Sequence, residues 1–311
     1  MKFAFLFPGQ GSQSVGMMQG FGALAVVRDT FSEASAVLGQ DLWRMATEPN
    51  EEINQTINTQ PLMLTTGIAA WRAWRQMGGA LPAFMAGHSL GEYTALVAAE
   101  ALSFADALPL VRYRAHVMQE AVAEGVGAMA AILGLDDDAV RAICAETAQD
   151  EVLEPVNFNA PGQIVIAGHK TAVTRGMEAA KARGAKKVVL LPVSVPSHCA
   201  LMKSAAEKLK EYLGQVPIST PRIPVLHNAD VTSHADANAI RNALVRQLYS
   251  PVRWVETIRK LEAAGMALTV ECGPGKVLAG LNKRISATMP CLALTGSEAL
   301  AEIKAQLETV R

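Results

Sequence analysis

Few backbones accommodate the segment Gly87-His88-Ser89-Leu90-Gly91. It follows a short apolar run, Pro82–Ala86, and precedes a helical pattern with Tyr93, Leu96 and Val97 on one side. Gly-x-Ser-x-Gly in that setting is the pattern of a nucleophile elbow. The strand turns so sharply into the helix that the serine is forced outward, and the flanking glycines remove Cβ atoms that would strike neighbouring backbone. The unsatisfied N–H groups of such a helix start face the serine oxygen and favour negative charge there. Glycine and serine also meet in ordinary turns. A base, an oxyanion hole and a substrate clamp elsewhere in the chain decide between the two readings.

The chain has 311 residues, room for one large domain with an insertion or for two domains. Half of the residues are hydrophobic and 18% are charged, which is enough apolar material for a sizeable core. A net charge of −1, with lysines and arginines scattered, gives no electrostatic footprint for nucleic acid. The apolar start Met1–Phe7 is cut short by Pro8 and Gly9, unlike a signal peptide, and no apolar run reaches membrane-spanning length. Cys144, Cys199, Cys272 and Cys291 lie far apart without CxxC or metal-like spacing. The expectation is a reduced, cytoplasmic protein without structural disulfides, metal or cofactor.

Strands and helices alternate along the chain. Lys2–Phe7 reads as a strand running into Pro8-Gly9-Gln10-Gly11-Ser12-Gln13. A dinucleotide site would need a third glycine where Ser14 stands, so the turn fits better as a means of aiming a backbone N–H at a reacting oxygen. Helical segments are expected at Phe31–Leu38 and Gln60–Met77, the second with Pro61 near its first turn, and at Phe104–Glu120, which carries Arg112 and Arg114. Charges on a helix flank are ordinarily solvated. Residues 126–195 change character: strand Ala128–Leu133, helix Asp136–Ala148 capped by Asp136, strands Val152–Phe158 and Gln163–Gly168, helix Thr171–Arg183, strand Lys186–Pro192. That β-α-β-β-α-β order over about seventy residues is the pattern of a small ferredoxin-like unit. It sits as an insertion between residues 1–125 and 196–311, which together form a large α/β domain.

The chain re-enters that domain through Pro196-Ser197-His198, ahead of a helical pattern including Leu201, Ala205, Leu209 and Leu213. Of the six histidines, only His198 joins a breaker-rich approach to the start of a long helix. It is a cap, a surface residue, or the base that takes a serine proton. Strand Pro224–Asn228, helices Ala237–Tyr249 and Arg253–Ala264 and a last strand Leu268–Glu271 follow. The glycine-rich turn Cys272–Lys276 is either a tight corner or a phosphate nest.

Phe7-Pro8-Gly9-Gln10-Gly11-Ser12-Gln13, Gly87-His88-Ser89-Leu90-Gly91-Glu92, Arg114, Pro196-Ser197-His198 and Glu271-Cys272-Gly273-Pro274-Gly275 together resemble the malonyl-CoA:acyl carrier protein transacylases, with Val156-Asn157-Phe158-Asn159 and Gln247-Leu248-Tyr249 adding to the match. The motifs keep the family's order over nearly the whole chain. The resemblance implies a large α/β-hydrolase-like domain with a parallel central sheet and an inserted ferredoxin-like subdomain, in agreement with the pattern above.

It also implies roles. Ser89 is the nucleophile that takes the malonyl group, and His198 is its general base. The backbone N–H groups of Gln10 and Leu90 form the oxyanion hole. Arg114 pairs bidentately with the malonyl carboxylate. Gln247 orients His198 through its backbone carbonyl, making a dyad rather than a triad. Gln60, Asn157 and Asn159 are candidates to line the acyl pocket. Malonyl-CoA and acyl carrier protein are the implied partners of a monomer, with a basic rim from Lys186, Lys187, Lys276, Lys283 and Arg284 facing the acidic carrier. The chain departs from the family's pattern at three places. Glu100 stands where glycine commonly closes the post-elbow helix. His227 stands where asparagine is more usual. Ser197 precedes the base where many polyketide relatives carry phenylalanine.

Overall fold

The computed structural model describes residues 1–193 and 195–309. Among them, strands Phe3–Phe7 (β1), Phe84–Gly87 (β2), Gly127–Leu133 (β3), Leu153–Ala160 (β4), Gln163–His169 (β5), Lys187–Leu190 (β6), Val225–Leu226 (β7), Leu268–Cys272 (β8) and Cys291–Leu294 (β9) form two sheets. The first is a five-stranded parallel sheet in the order β7-β2-β1-β8-β9. β1 is its centre, and every one of its residues is buried, as a strand covered on both faces requires. Its side chains alternate between the two layers. Phe5 meets Trp71 and Trp74 edge-on at 5.4 and 5.5 Å on one face, while Ala4 and Leu6 join the cluster of Trp254, Ile258 and Leu281 on the other.

The second sheet is antiparallel in the order β4-β5-β3-β6, with helices Asp137–Thr147 and Lys170–Ala182 packed against it. The Asp136 side chain caps the first of these by accepting from Ala139 N at 2.8 Å. Main-chain bonds join this unit to the other. Phe158 N donates to Val252 O at 3.0 Å, and Val252 N donates to Val156 O at 2.8 Å. β4 is thereby tied to the segment that follows helix Ala237–Gln247.

Several expected boundaries move. The helix expected from Gln60 begins at Thr56 and runs to Gln76, so Pro61 lies one turn inside it. A proline there lies beyond the first turn and withholds the i→i−4 bond that Ile57 O would otherwise accept. The helix expected from Phe31 begins at Ala25. β8 is not the last strand: β9 pairs with it in parallel, Thr269 opposite Cys291 through Cys272 opposite Leu294. β9 is only four residues long and follows Pro290, so its strand character comes from pairing rather than from local pattern.

The turn after β8 is a tight corner. The Glu271 carboxylate accepts from Leu278 N at 3.0 Å and Ala279 N at 2.8 Å, so a carboxylate of the chain itself already occupies the start of helix Val277–Ile285. All four cysteines are free, and burial pushes the Cys144 and Cys199 thiols up to about 12.

Candidate active site

Parallel pairing of β1 with β2 sets Phe7 opposite Gly87, so both strands end at the same level and their turns interlock. His88 N donates to Phe7 O at 3.0 Å. A Cβ on Gly91 would collide with Phe7 O, one on Gly9 with His88 O, and one on Gly87 with the Gly91 backbone. Glycine is required at all three places by the space available. Pinched between them, Ser89 takes φ 51°, the left-handed region that side chains seldom adopt. The elbow is further held by Asn228, whose Oδ1 accepts from Ser89 N at 2.7 Å and whose Nδ2 donates to Gly87 O at 2.7 Å. Helix Gly91–Ala98 starts directly behind the serine.

His198 also has positive φ, 67°. Its backbone N donates to Leu248 O at 2.9 Å, and its ring Nδ1 lies 2.7 Å from Gln247 O. A carbonyl only accepts, so Nδ1 carries the proton and Nε2 presents a lone pair. Nε2 lies 2.8 Å from Ser89 Oγ, within reach of the hydroxyl proton. Burial drives the His198 pKa down to about 3; the Arg114 charge works in the same direction, against the Gln247 carbonyl. The ring is therefore neutral, as a base must be before it acts.

Arg114 comes from helix Phe104–Glu120, which Ser103 caps by accepting from Asp106 N at 3.0 Å. At 1% exposure it is one of the largest fully buried side chains. Its Nη1 donates to Gln60 Oε1 at 2.8 Å, and its Nη2 donates to Gln247 Oε1 at 3.0 Å and to Ser89 Oγ at 3.2 Å. The guanidinium stands 5.4 Å from the centre of the Tyr93 ring. Burial lowers its pKa, and Tyr93 and Glu92 oppose that shift. Among the described residues no carboxylate is bonded to this buried fork, and with one nitrogen against Ser89 Oγ it is suited to an anionic group carried by a substrate.

Ser89, His198, Arg114 and Gln60 line a cleft of about 130 Å³ between the two sheets' units, with Gln10, Leu90 and Asn157 also on its walls and apolar contacts from Met118 and Val195. Asn157 Oδ1 is buried without a partner of its own. Asn159 is turned elsewhere: its Oδ1 lies 2.7 Å from His88 Nε2. Gln247 acts twice, through its carbonyl on His198 and through its amide on Arg114. Glu92 and Asn228 have no counterpart among the expected site residues. A glutamate in a helix's first turn reads from sequence as ordinary dipole pairing, and Asn228 as a strand end. Among the described residues, no group of three or more His, Cys, Asp or Glu side chains is arranged to hold a metal, and no helix is long and apolar enough to cross a membrane.

Residues 4–292 match the family described as Acyl transferase domain. The chain is 55% identical over 302 residues to the malonyl CoA-acyl carrier protein transacylase of Salmonella typhimurium, covering 96% of this chain and 98% of that one. The solved malonyl CoA-acyl carrier protein transacylase of Coxiella burnetii superposes with a TM-score of 0.97 at 47% identity, covering 99% of this chain and 98% of that one. A type II PKS acyl-carrier protein in complex with its malonyl-transacylase gives a TM-score of 0.97 at 50% identity, covering 98% of this chain and all of that one (100%).

Proposed function

This chain belongs to the malonyl-CoA:acyl carrier protein transacylases, and from that premise we infer that it moves a malonyl group from malonyl-CoA to the phosphopantetheine thiol of acyl carrier protein, supplying extender units for fatty-acid synthesis. The observation that carries the reading is the buried Arg114 fork, 3.2 Å from the nucleophile oxygen.

The route is ping-pong. His198 Nε2 takes the Ser89 proton as Oγ attacks the thioester carbonyl. The oxyanion sits against the N–H groups of Gln10 and Leu90, contributed by the two interlocked turns. The tetrahedral intermediate collapses with loss of the CoA thiolate, which receives the proton from the His198 imidazolium. In the second half His198 deprotonates the carrier's thiol, the sulfur attacks the malonyl ester, and Ser89 Oγ leaves and is reprotonated by the same imidazole. Gln247 O holds Nδ1–H throughout and supports the transient positive charge. Arg114 releases its contact with Ser89 Oγ to the malonyl carboxylate, with Gln60 and Gln247 bracing the guanidinium and Asn157 facing the acyl chain.

The finer architecture belongs to the same reading: an α/β-hydrolase-like domain of residues 1–125 and 196–311, with a ferredoxin-like subdomain at 126–195 that narrows the cleft and limits water. The protein acts as a cytoplasmic monomer with no nucleic-acid partner. The exposed Lys186, Lys187, Lys276, Lys283 and Arg284 meet the acidic carrier; Arg284 also bridges to the Gln163 side chain and to Pro161 O.

Incubation with malonyl-CoA labelled in the acyl group tests the reading. Stable label on Ser89 that transfers to added acyl carrier protein is the expected result. Prompt release as malonate makes the protein a hydrolase, and absence of label from Ser89 removes the assignment of the nucleophile.

A further inference from the structure

Glu92 is a fully buried carboxylate that the route above does not use. It lies in the first turn of helix Gly91–Ala98, close behind the nucleophile. Its Oε1 is 2.7 Å from His227 Nδ1. Its Oε2 accepts from Asn228 N at 2.8 Å and from Gln247 Nε2 at 2.9 Å. A carboxylate only accepts, so the end of the Gln247 amide turned toward it is the nitrogen. That nitrogen also donates to Ser89 O at 3.0 Å. The amide oxygen has one direction left, and there it accepts from Arg114 Nη2 at 3.0 Å. Flipped, the amide would set its NH2 against a guanidinium, which has no acceptor, and its oxygen against two acceptors. Glu92 and Gln247 are both fully buried, so neither loss is made good by water.

We propose that Glu92, backed by His227, is a positioning residue for acyl selection: it locks the Gln247 amide, and the locked amide fixes the angle at which the Arg114 fork meets the acyl carboxylate. The inference rests on Arg114 as the carboxylate clamp. It assigns the selectivity of the site to a chain of contacts, Glu92 to Gln247 to Arg114, of which only the last member touches the acyl group.

Glu92 also supports the elbow through Asn228 N, so its loss alone would confuse a folding defect with a selectivity defect. The linkage is therefore broken from both ends. Single-turnover acylation of Ser89 by malonyl-CoA and acetyl-CoA is measured for Glu92→Ala, Glu92→Gln, Gln247→Met and Arg114→Ala. Gln247→Met keeps the backbone carbonyl that holds His198 and removes only the amide. The malonyl-to-acetyl rate ratio is expected to fall about tenfold in Glu92→Ala and in Gln247→Met, with no further fall when the two are combined, as for members of one network. Glu92→Gln, which still offers an oxygen to both donors, is expected to keep the ratio within about twofold of wild type.

A wild-type ratio in Gln247→Met, with the ratio lost in Arg114→Ala, overturns the inference and leaves the clamp standing. So does a Glu92→Gln as damaged in ratio as Glu92→Ala. A wild-type ratio in Arg114→Ala overturns the clamp itself. If Glu92→Ala does not fold, Gln247→Met decides alone.

Discussion

Ser89 and His198, 109 residues apart in the chain, meet at 2.8 Å, and both hold a left-handed backbone, at φ 51° and 67°, that neither side chain favours. Such strain, of order 1–3 kcal/mol at each position, persists only where the surroundings over-determine it. Here they do. Asn228 and the interlocked glycines grip one residue, and the carbonyls of Gln247 and Leu248 grip the other.

The neutral state of His198 extends well below the usual imidazole range. With its pKa near 3 rather than 6.5, the imidazole stays unprotonated in mild acid. The rate of Ser89 acylation per unit malonyl-CoA is expected to stay flat from about pH 7.5 to about pH 5. Single-turnover rates across that range check it; a fall centred near 6.5 would contradict it.

Stability behaves differently from rate. Between about 3 and 6.5 the unfolded chain binds a proton at His198 that the folded chain does not, so stability falls as pH falls through that window and is untouched by this group above it. The slope from one such group is at most about 1.4 kcal/mol per pH unit. Burial lowers His88 as well, adding a slope of the same sign. Urea midpoints measured at a series of pH values test this, and a midpoint that rose on acidification would refute it.

Arg114→Lys keeps the charge and loses the fork. One ammonium cannot hold both Gln60 and Gln247 while pairing with a carboxylate in two places, so the preference for malonyl over acetyl is expected to drop roughly tenfold. Competition between the two labelled thioesters measures it. Undiminished preference would mean that charge alone selects.

Gly87→Ala places a methyl group into the Gly91 backbone. No flexible side chain is there to give way. The cost is expected at about 3 kcal/mol or more, with loss of acylation, since the turn that presents Ser89 must open. Chemical denaturation of the variant gives the number; a loss below about 1 kcal/mol would show the elbow to be pliable.

Glu100→Gly should stabilise. Glu100 sits at φ 60°, just past the helix that begins at the elbow, and its ion pair with Arg222 at 3.0 Å is largely exposed. Relief of the left-handed backbone, less the added freedom of the unfolded chain and a weak surface pair, leaves a gain of up to about 1 kcal/mol. A lowered melting temperature would mean that the ion pair outweighs the strain.

What could be read from the amino-acid order follows the range over which each signal acts. The elbow is local: two glycines around one serine state a steric requirement within five residues, and the structure meets it with collisions at Gly87 and Gly91. The β-α-β-β-α-β order between Gly127 and Leu190 is local too, because each element announces itself by its own periodicity. β9 does not, since four residues after a proline become a strand only when β8 is beside them. The burial of Arg114 is equally silent, because a helix that is covered on nearly every side still carries its arginine at ordinary spacing. Asn159 shows the converse. A carboxamide in the right motif turns out to bond His88, one residue before Ser89, and is not itself on the cleft wall. Glu92 is the least legible of all, for its three partners, His227, Asn228 and Gln247, come from two separate segments far along the chain.

The two bonds that stitch β4 to Val252 set the mechanical character of the cleft. Asn157, on the cleft wall, lies between the bonded residues of one strand, and Val252 follows closely on the carbonyls that tether His198. A jaw needs a free edge to swing; this one is hemmed on the side where the chemistry happens. A thiol entering the cleft therefore meets a β4 wall tied by main-chain bonds to the same segment that holds His198.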